Sequence, residues 1–165
     1  MALDGFLKID GIPGDCPDDK HKEWISILSC STGVSLSGGG LGSAQAIHSS
    51  GRASLTDFCI TKRLDKSSKK LMLACCRGQV IPTVTVELCR ATGTGAKQAY
   101  MAYKMNDVVI AQVDEGVSAS DESPTEGVSF RYGKMEWTFT PTDARSGSAQ
   151  GAVAAKWDST TNTGA

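Results

Sequence analysis

Apolar and polar residues alternate along much of this chain with a period of two, the spacing that sends successive side chains to opposite faces of a strand. Val84, Val86 and Leu88 alternate with Thr83, Thr85, Glu87 and Cys89. Val128, Phe130 and Tyr132 alternate with Ser129 and Arg131. Met135, Trp137 and Phe139 share one face of the next run, with Lys134, Glu136, Thr138 and Thr140 on the other, and Trp137 is expected in the core. Gly133, between these last two runs, predicts a tight turn or a bulge, and Pro141 ends the second run because it has no N–H to give a ladder. Further strands are expected at Phe6–Ile9, Ile25–Ser31, Leu55–Thr61, Tyr100–Met105 and Val108–Val113. The parity shift from Leu55 to Phe58 predicts a bulge in the third of these.

One segment departs from this period. Residues 65–78 predict a short helix, capped at its start by Asp65 or Ser67, with Leu71, Met72, Cys75 and Cys76 on one side. Arg77 suits its negative end and Gly78 its left-handed terminus. Two segments predict long loops: 34–52, with Gly38, Gly39, Gly40, Leu41 and Gly42, and 115–127, which is acidic. Many short strands with Gly and polar punctuation imply a mainly β chain, a barrel or a sandwich, forming one domain over residues 1–157, followed by a flexible tail at 158–165.

Composition removes several functions. Over 165 residues the net charge is −1, which gives no electrostatic reason to coat nucleic acid or anionic lipid. The densest basic group, Lys62, Arg63, Lys66, Lys69 and Lys70, reads as a solvated helix face. No run approaches the ~20 apolar residues that cross a bilayer, and the first residues lack a signal peptide's basic and apolar regions, so folding in the cytoplasm is expected. Most of the six cysteines then read as buried thiols rather than disulfides. Of the two histidines, His21 lies in a charged run that reads as surface, and His48 lies in the Gly-rich loop. No nucleophile stands with a base, no C-x-x-C pair suggests a metal, and the glycine clusters lack the lysine of a phosphate loop. The chain is therefore expected to assemble or bind rather than catalyse, with no cofactor and no metal.

Several segments occur in an order that resembles a known family. They are Met1–Gly14, Asp18–Ile25, Phe58–Ser68, Ala74–Gly78, Val128–Tyr132 and Trp137–Pro141. Together they resemble Hcp, the haemolysin-coregulated protein of type VI secretion. The resemblance implies a single antiparallel β-barrel, two-sheeted and similar to phage tail-tube proteins, with one short flanking helix. It also implies a homo-hexameric ring, stacking of rings into a tube, sheath and spike proteins as partners, and small effector proteins in the lumen. Export would follow without a cleaved signal peptide. Given that resemblance, Gly38–Gly42 is the candidate ring-stacking loop. Thr83, Thr85 and Glu87 are candidates for the subunit interface, and Ser29, Ser31 and Thr32 for the lumen. Ile25 and Ile27 share one parity and Leu28 and Cys30 the other, so Ser31 faces either the channel or a neighbouring subunit. The alternatives are a barrel that holds a small ligand and a phage tail-tube protein.

Overall fold

The computed structural model describes residues 4–36, 52–91, 97–118, 123–143 and 148–165. Strands β1 (Asp4–Ile9), β2 (Ile25–Ser31), β5 (Phe58–Arg63), β6 (Val80–Ala91), β7 (Lys97–Gly116) and β8 (Thr125–Phe139) are neighbours in the order β8-β5-β2-β1-β6-β7. Pairing of β7 with β8 closes this order on itself, so six antiparallel strands make a barrel without a free edge. Strands β9 (Val153–Asp158) and β10 (Thr163–Gly164) extend the sheet beyond β8. Strands β3 (Val34–Leu36) and β4 (Ala53–Leu55) form a separate two-stranded sheet.

The inward parity follows the sequence pattern. Val84, Val86, Val128, Phe130 and Met135 are buried in one core with Leu7, Ile25, Phe58 and Ile60. Trp137 only packs against the margin of that core and Phe139 is 46% exposed, so the enclosed aromatics are Phe58 and Phe130 instead. The expected pair Tyr100–Met105 and Val108–Val113 is one continuous strand, and so are the two runs around Gly133.

No turn forms at Gly133; the strand passes straight through. What changes there is parity, because Tyr132 and Met135, three residues apart, both face the core. The same happens from Met105 to Val108 and from Ile81 to Val84. Register aligns these three places, with Ile81, Val108 and Tyr132 on one side of the row and Thr83, Asn106 and Lys134 on the other. The row between holds Pro82, Asp107 and Gly133. Asp107 takes a positive φ of 53°, and a Cβ on Gly133 would meet its Cβ at 3.4 Å. Asn106 fastens the row by donating from Nδ2 to the Pro82 carbonyl at 3.2 Å and to Thr83 Oγ1 at 3.1 Å. A simultaneous twist in three strands lets a long hairpin wrap the core with apolar side chains inward on both sides of the row.

The other departures have local causes. Leu55–Thr61 is not one bulged strand: Thr56 and Asp57 separate β4 in one sheet from β5 in the other. The loop between β7 and β8 is shorter than expected, since Glu115–Gly116 and Thr125–Gly127 are paired. Residues 158–165 form a hairpin rather than a loose end, with Lys156 and Ala165 exchanging backbone hydrogen bonds of 2.8 and 3.0 Å.

Helix α1 (Ser68–Arg77) ends at Gly78 in the left-handed conformation, as its sequence predicts. Its buried residues are Ser68, Leu71 and Ala74, whereas Cys76 is exposed and Met72 only half-buried. Ser67 is the N-cap but makes no capping bond through its side chain; it donates to Asp65 instead. Lys62 also overturns its expectation. It is 0% exposed, and Nζ donates to Glu126, to Asp65 Oδ1 at 2.9 Å, to Ser68 Oγ at 3.2 Å and to the Arg63 carbonyl at 2.9 Å. Ser68 Oγ also donates to Glu126 Oε1 at 2.7 Å, and Glu126 is 1% exposed. Lys62 and Glu126 are register partners, so the ion pair bolts β5 to β8 and holds the helix start against both.

Burial works against ionisation of Asp65, but hydrogen bonds from Ser67 and Lys62 prevail and hold its carboxyl below the usual range. Its stabilising contribution is therefore complete above about pH 4, the free value, and is lost as acid protonates the folded form. Urea unfolding measured down through this range is expected to show a steep acid limb that Asp65→Asn flattens. At neutral pH, Lys62→Met is expected to cost about 3–5 kcal/mol by leaving the buried Glu126 without its cationic partner, while Lys62→Met with Glu126→Leu recovers most of that loss. Equal losses in the single and double variants would show that the pair acts only by shape.

Candidate functional site

The fold leaves two distinct outer surfaces. Segment 10–24 lies over the outer face of β1 and β6 and makes a second small core. There Phe6, Cys16 and Cys89 are buried with Trp24 and Ala99 against them. Gly14 lets this segment close: its N–H donates to the Glu23 carbonyl at 2.7 Å, and a Cβ there would stand 2.3 Å from the Trp24 carbonyl oxygen. His21, expected at the surface, is 5% exposed. Its ring stacks on Phe6 at 3.9 Å with a 6° interplanar angle, and meets Trp24 edge-on. Its Nδ1 lies 2.8 Å from Asp18 Oδ1 and its Nε2 lies 2.9 Å from Glu87 Oε2. The hydrogen bond from His21, helped by Lys97, holds Asp18 at about 2. Burial, reinforced by Glu87, Asp18 and Asp4, pushes the Cys89 thiol up to about 11.

Among the described residues, none covers the outer face of β2, β5 and β8 in this way. Its geometry settles the open parity of Ser29 and Ser31. A bulge between Ile27 and Ser29 inserts one residue, which puts Cys30 on the same inward side as Ile25 and Ile27 and turns Ser29 and Ser31 outward together. Register then aligns Ser31 with Cys59 and Ser129, and Ser29 with Thr61 and Gly127. Six small residues, four of them hydroxyl-bearing, thus tile three adjacent strands, all exposed or half-buried. Only Ser29 and Ser31 of this group were singled out from sequence. The others emerge from the antiparallel register, which residue type alone does not reveal. Thr32 is half-buried beside this face, 3.4 Å from the Tyr132 hydroxyl, which itself donates to the Thr56 carbonyl.

The other predicted residues are placed as follows. Thr83, Thr85 and Glu87 share the outward face of β6 and are half-buried. Glu87 is engaged by His21 and Thr83 by Asn106. Gly38, Gly39, Gly40, Leu41 and Gly42 lie outside the described residues, but the chain enters and leaves that segment as a hairpin, with Leu36 opposite Ala53. Sequence reasoning missed the large apolar side chains left in solvent. Phe139 and Val153, the latter 67% exposed, are register partners and so share a face at the β8–β9 edge. Leu36, Leu73, Val80 and Val117 are exposed elsewhere. An outward apolar residue obeys the same alternation as an inward one, so the pattern could not tell them apart. No helix among the described residues is long and apolar enough to cross a membrane.

Burial separates the thiols. Native alkylation followed by peptide mass mapping is expected to modify Cys76 first and to reach Cys16 and Cys89 only on unfolding.

Comparison with known proteins agrees with this architecture. The family described as "Type VI secretion system effector, Hcp" matches residues 6–139. Protein hcp1 of Pseudomonas aeruginosa is 30% identical over 158 residues, covering 96% of each chain. A solved structure of a type six secretion system protein superposes with a TM-score of 0.91 at 30% identity, over 99% of this chain and all of that one. Hcp1 from Salmonella typhimurium superposes with a TM-score of 0.79 at 26% identity, over the full length of both.

Proposed function

The chain belongs to the Hcp family of type VI secretion proteins and is a tube component of that system, and on this premise we propose that its subunits close into hexameric rings which stack around a polar channel. The observation that carries this reading is the tiled face of β2, β5 and β8. Ser29, Ser31, Cys59, Thr61, Gly127 and Ser129 give a patch of small side chains, flanked at one end by Arg63 and at the other by Arg131, which is paired with Asp57. Such a patch lets a passenger protein move or rest without a sticky contact. Small effectors held in this lumen are the cargo, with Thr32 at its margin.

Ring closure needs one patch on a subunit to meet a different patch on the next. The Phe139–Val153 pair is the strongest candidate, since burying it against a neighbour removes apolar area from water. Thr85, with Thr83 and Glu87 beside it, contributes a polar part to such contacts. Stacking falls to the β3–β4 hairpin, which carries residues 37–51, including Gly38–Gly42, between its two strands. Individually weak contacts suffice, because ring closure makes the last of them intramolecular. The stacked rings offer a repeated outer surface to a sheath and an end surface to a spike. The tube assembles in the cytoplasm and leaves when the sheath contracts, as a structural passenger rather than an enzyme, and without a cleaved signal peptide.

Negative-stain microscopy and light scattering test this reading. The wild-type protein is expected to give annular particles with an open centre and a hexamer's mass. Val153→Asp changes an exposed position and is expected to leave unfolding stability within about 0.5 kcal/mol while abolishing the rings. Ser31→Trp is expected to keep the rings but to lose co-purifying effectors. A monomer at every concentration would refute the ring, and rings of Ser31→Trp that still load cargo would move the lumen to another face.

A further inference from the structure

The outer lobe formed by segment 10–24 contains a side-chain group of which only Glu87 enters the proposed ring contacts. His21, Glu87 and Cys89 each offer one donor atom, and these atoms lie within 4.8 Å of one another. His21 and Cys89 are buried, and Glu87 is half-buried at the edge. We propose that His21 Nε2, Glu87 Oε2 and Cys89 Sγ form a binding site for a zinc-class divalent cation that fastens this lobe to β6.

The donor chemistry supports the assignment. Imidazole, carboxylate and thiolate together suit zinc and cobalt, whereas magnesium and calcium require oxygen donors throughout. Zinc bonds of roughly 2.0–2.3 Å place tetrahedral ligands about 3.2–3.7 Å apart. The present separations, up to 4.8 Å among the three atoms and 2.9 Å between His21 Nε2 and Glu87 Oε2, bracket that range. Orientation is already supplied. Asp18 accepts from His21 Nδ1 at 2.8 Å, and this assigns the proton to Nδ1 and leaves Nε2 as the donor atom. The parallel stack on Phe6 fixes the ring plane. A carboxylate behind a ligating imidazole is the usual supporting partner of a zinc site.

The 2.9 Å approach of His21 Nε2 to Glu87 Oε2 already brings two of the three donor atoms together. On metal binding, the Cys89 thiol releases its proton to solvent, and so does any proton held between His21 and Glu87. The nearest competing cation, Lys97, is engaged by Asp18 at 3.1 Å and Asp4 at 3.3 Å. Lys20 donates to the Lys97 carbonyl and lines the mouth. A cavity bordered by Lys20, Trp24 and Gln98 opens onto His21, Glu87 and Cys89, so water can supply the fourth ligand.

The test uses full-length protein stripped with EDTA and titrated with Co²⁺ and with Zn²⁺ alone. Co²⁺ is expected to give one equivalent of binding with a near-ultraviolet sulfur-to-cobalt charge-transfer band, and Zn²⁺ is expected to raise the melting temperature. Cys89→Ser should remove the band and weaken Zn²⁺ binding by at least ~10-fold, a loss of the order seen at supporting residues. Asp18→Asn should weaken binding about 10–100-fold while keeping the band at saturation. Cys76→Ser, at an exposed thiol, should change neither. If Cys89→Ser fails to fold, Glu87→Gln, which keeps the side-chain shape, decides by the same affinity loss. Absence of the band in the wild-type protein, or a band and affinity that survive both Cys89→Ser and Glu87→Gln, overturns the site. Ring formation is read separately by microscopy, so failure of the metal site leaves the tube reading intact.

Discussion

The buried ion pair between Lys62 and Glu126 is the constraint on which the rest of the barrel depends. A charge without water must find all its partners at once, or the protein loses several kcal/mol. Lys62 finds them on β5, on β8 and at the start of α1. Lys62 and Glu126 meet at one rung of one register, so a slip of β5 against β8 would separate them. Apolar packing between two valine-rich strands tolerates such slips more readily. The pair thus contributes specificity to the place where the barrel receives its helix, and one buried carboxylate oxygen of Glu126 without a hydrogen-bond partner among the described residues is the cost of that arrangement.

From this fixed rung the two outer surfaces take opposite characters. On β1 and β6, segment 10–24 folds back and buries a second layer, so β1 is covered on both faces by Leu7 within and Phe6 without. On β2, β5 and β8, nothing in the described chain covers the sheet, and small residues are presented there between Arg63 and Arg131. A closed barrel has already satisfied its strand edges. With those edges satisfied, the proposed ring contacts are left to faces and to the β3–β4 hairpin, which would keep assembly from competing with folding. That separation suits a tube whose subunits fold first, assemble later and are finally shed.

The twisted row at Pro82, Asp107 and Gly133 serves the same end. The β7–β8 hairpin is long enough to pair with β6 and β9 on its flanks as well as with itself. Without the row, alternation would carry half of its apolar residues to the wrong side. With it, both halves feed one core, and only the last pair, Phe139 and Val153, runs past the core into solvent. The exposed apolar patch is thus a geometric consequence of strand length, and it falls at the sheet's outer edge, where a neighbouring subunit can reach it.

What the sequence by itself determined was whatever a period of two and a period of 3.6 encode: most of the barrel strands, the single helix, its glycine terminus, and a mainly β chain, barrel or sandwich. The order of its segments also carried the family, since order and spacing survive where individual residues change. Only the tertiary structure decided the parity of Ser29 and Ser31, because one inserted residue in β2 reverses every later side chain and leaves no compositional trace. It alone buried Lys62 and His21, whose partners Glu126 and Glu87 stand 64 and 66 residues away. It alone joined Cys89 to His21. Local pattern reports which side of a strand a residue occupies, but burial of a charge and convergence of ligands depend on register between distant strands, which forms only when the chain closes.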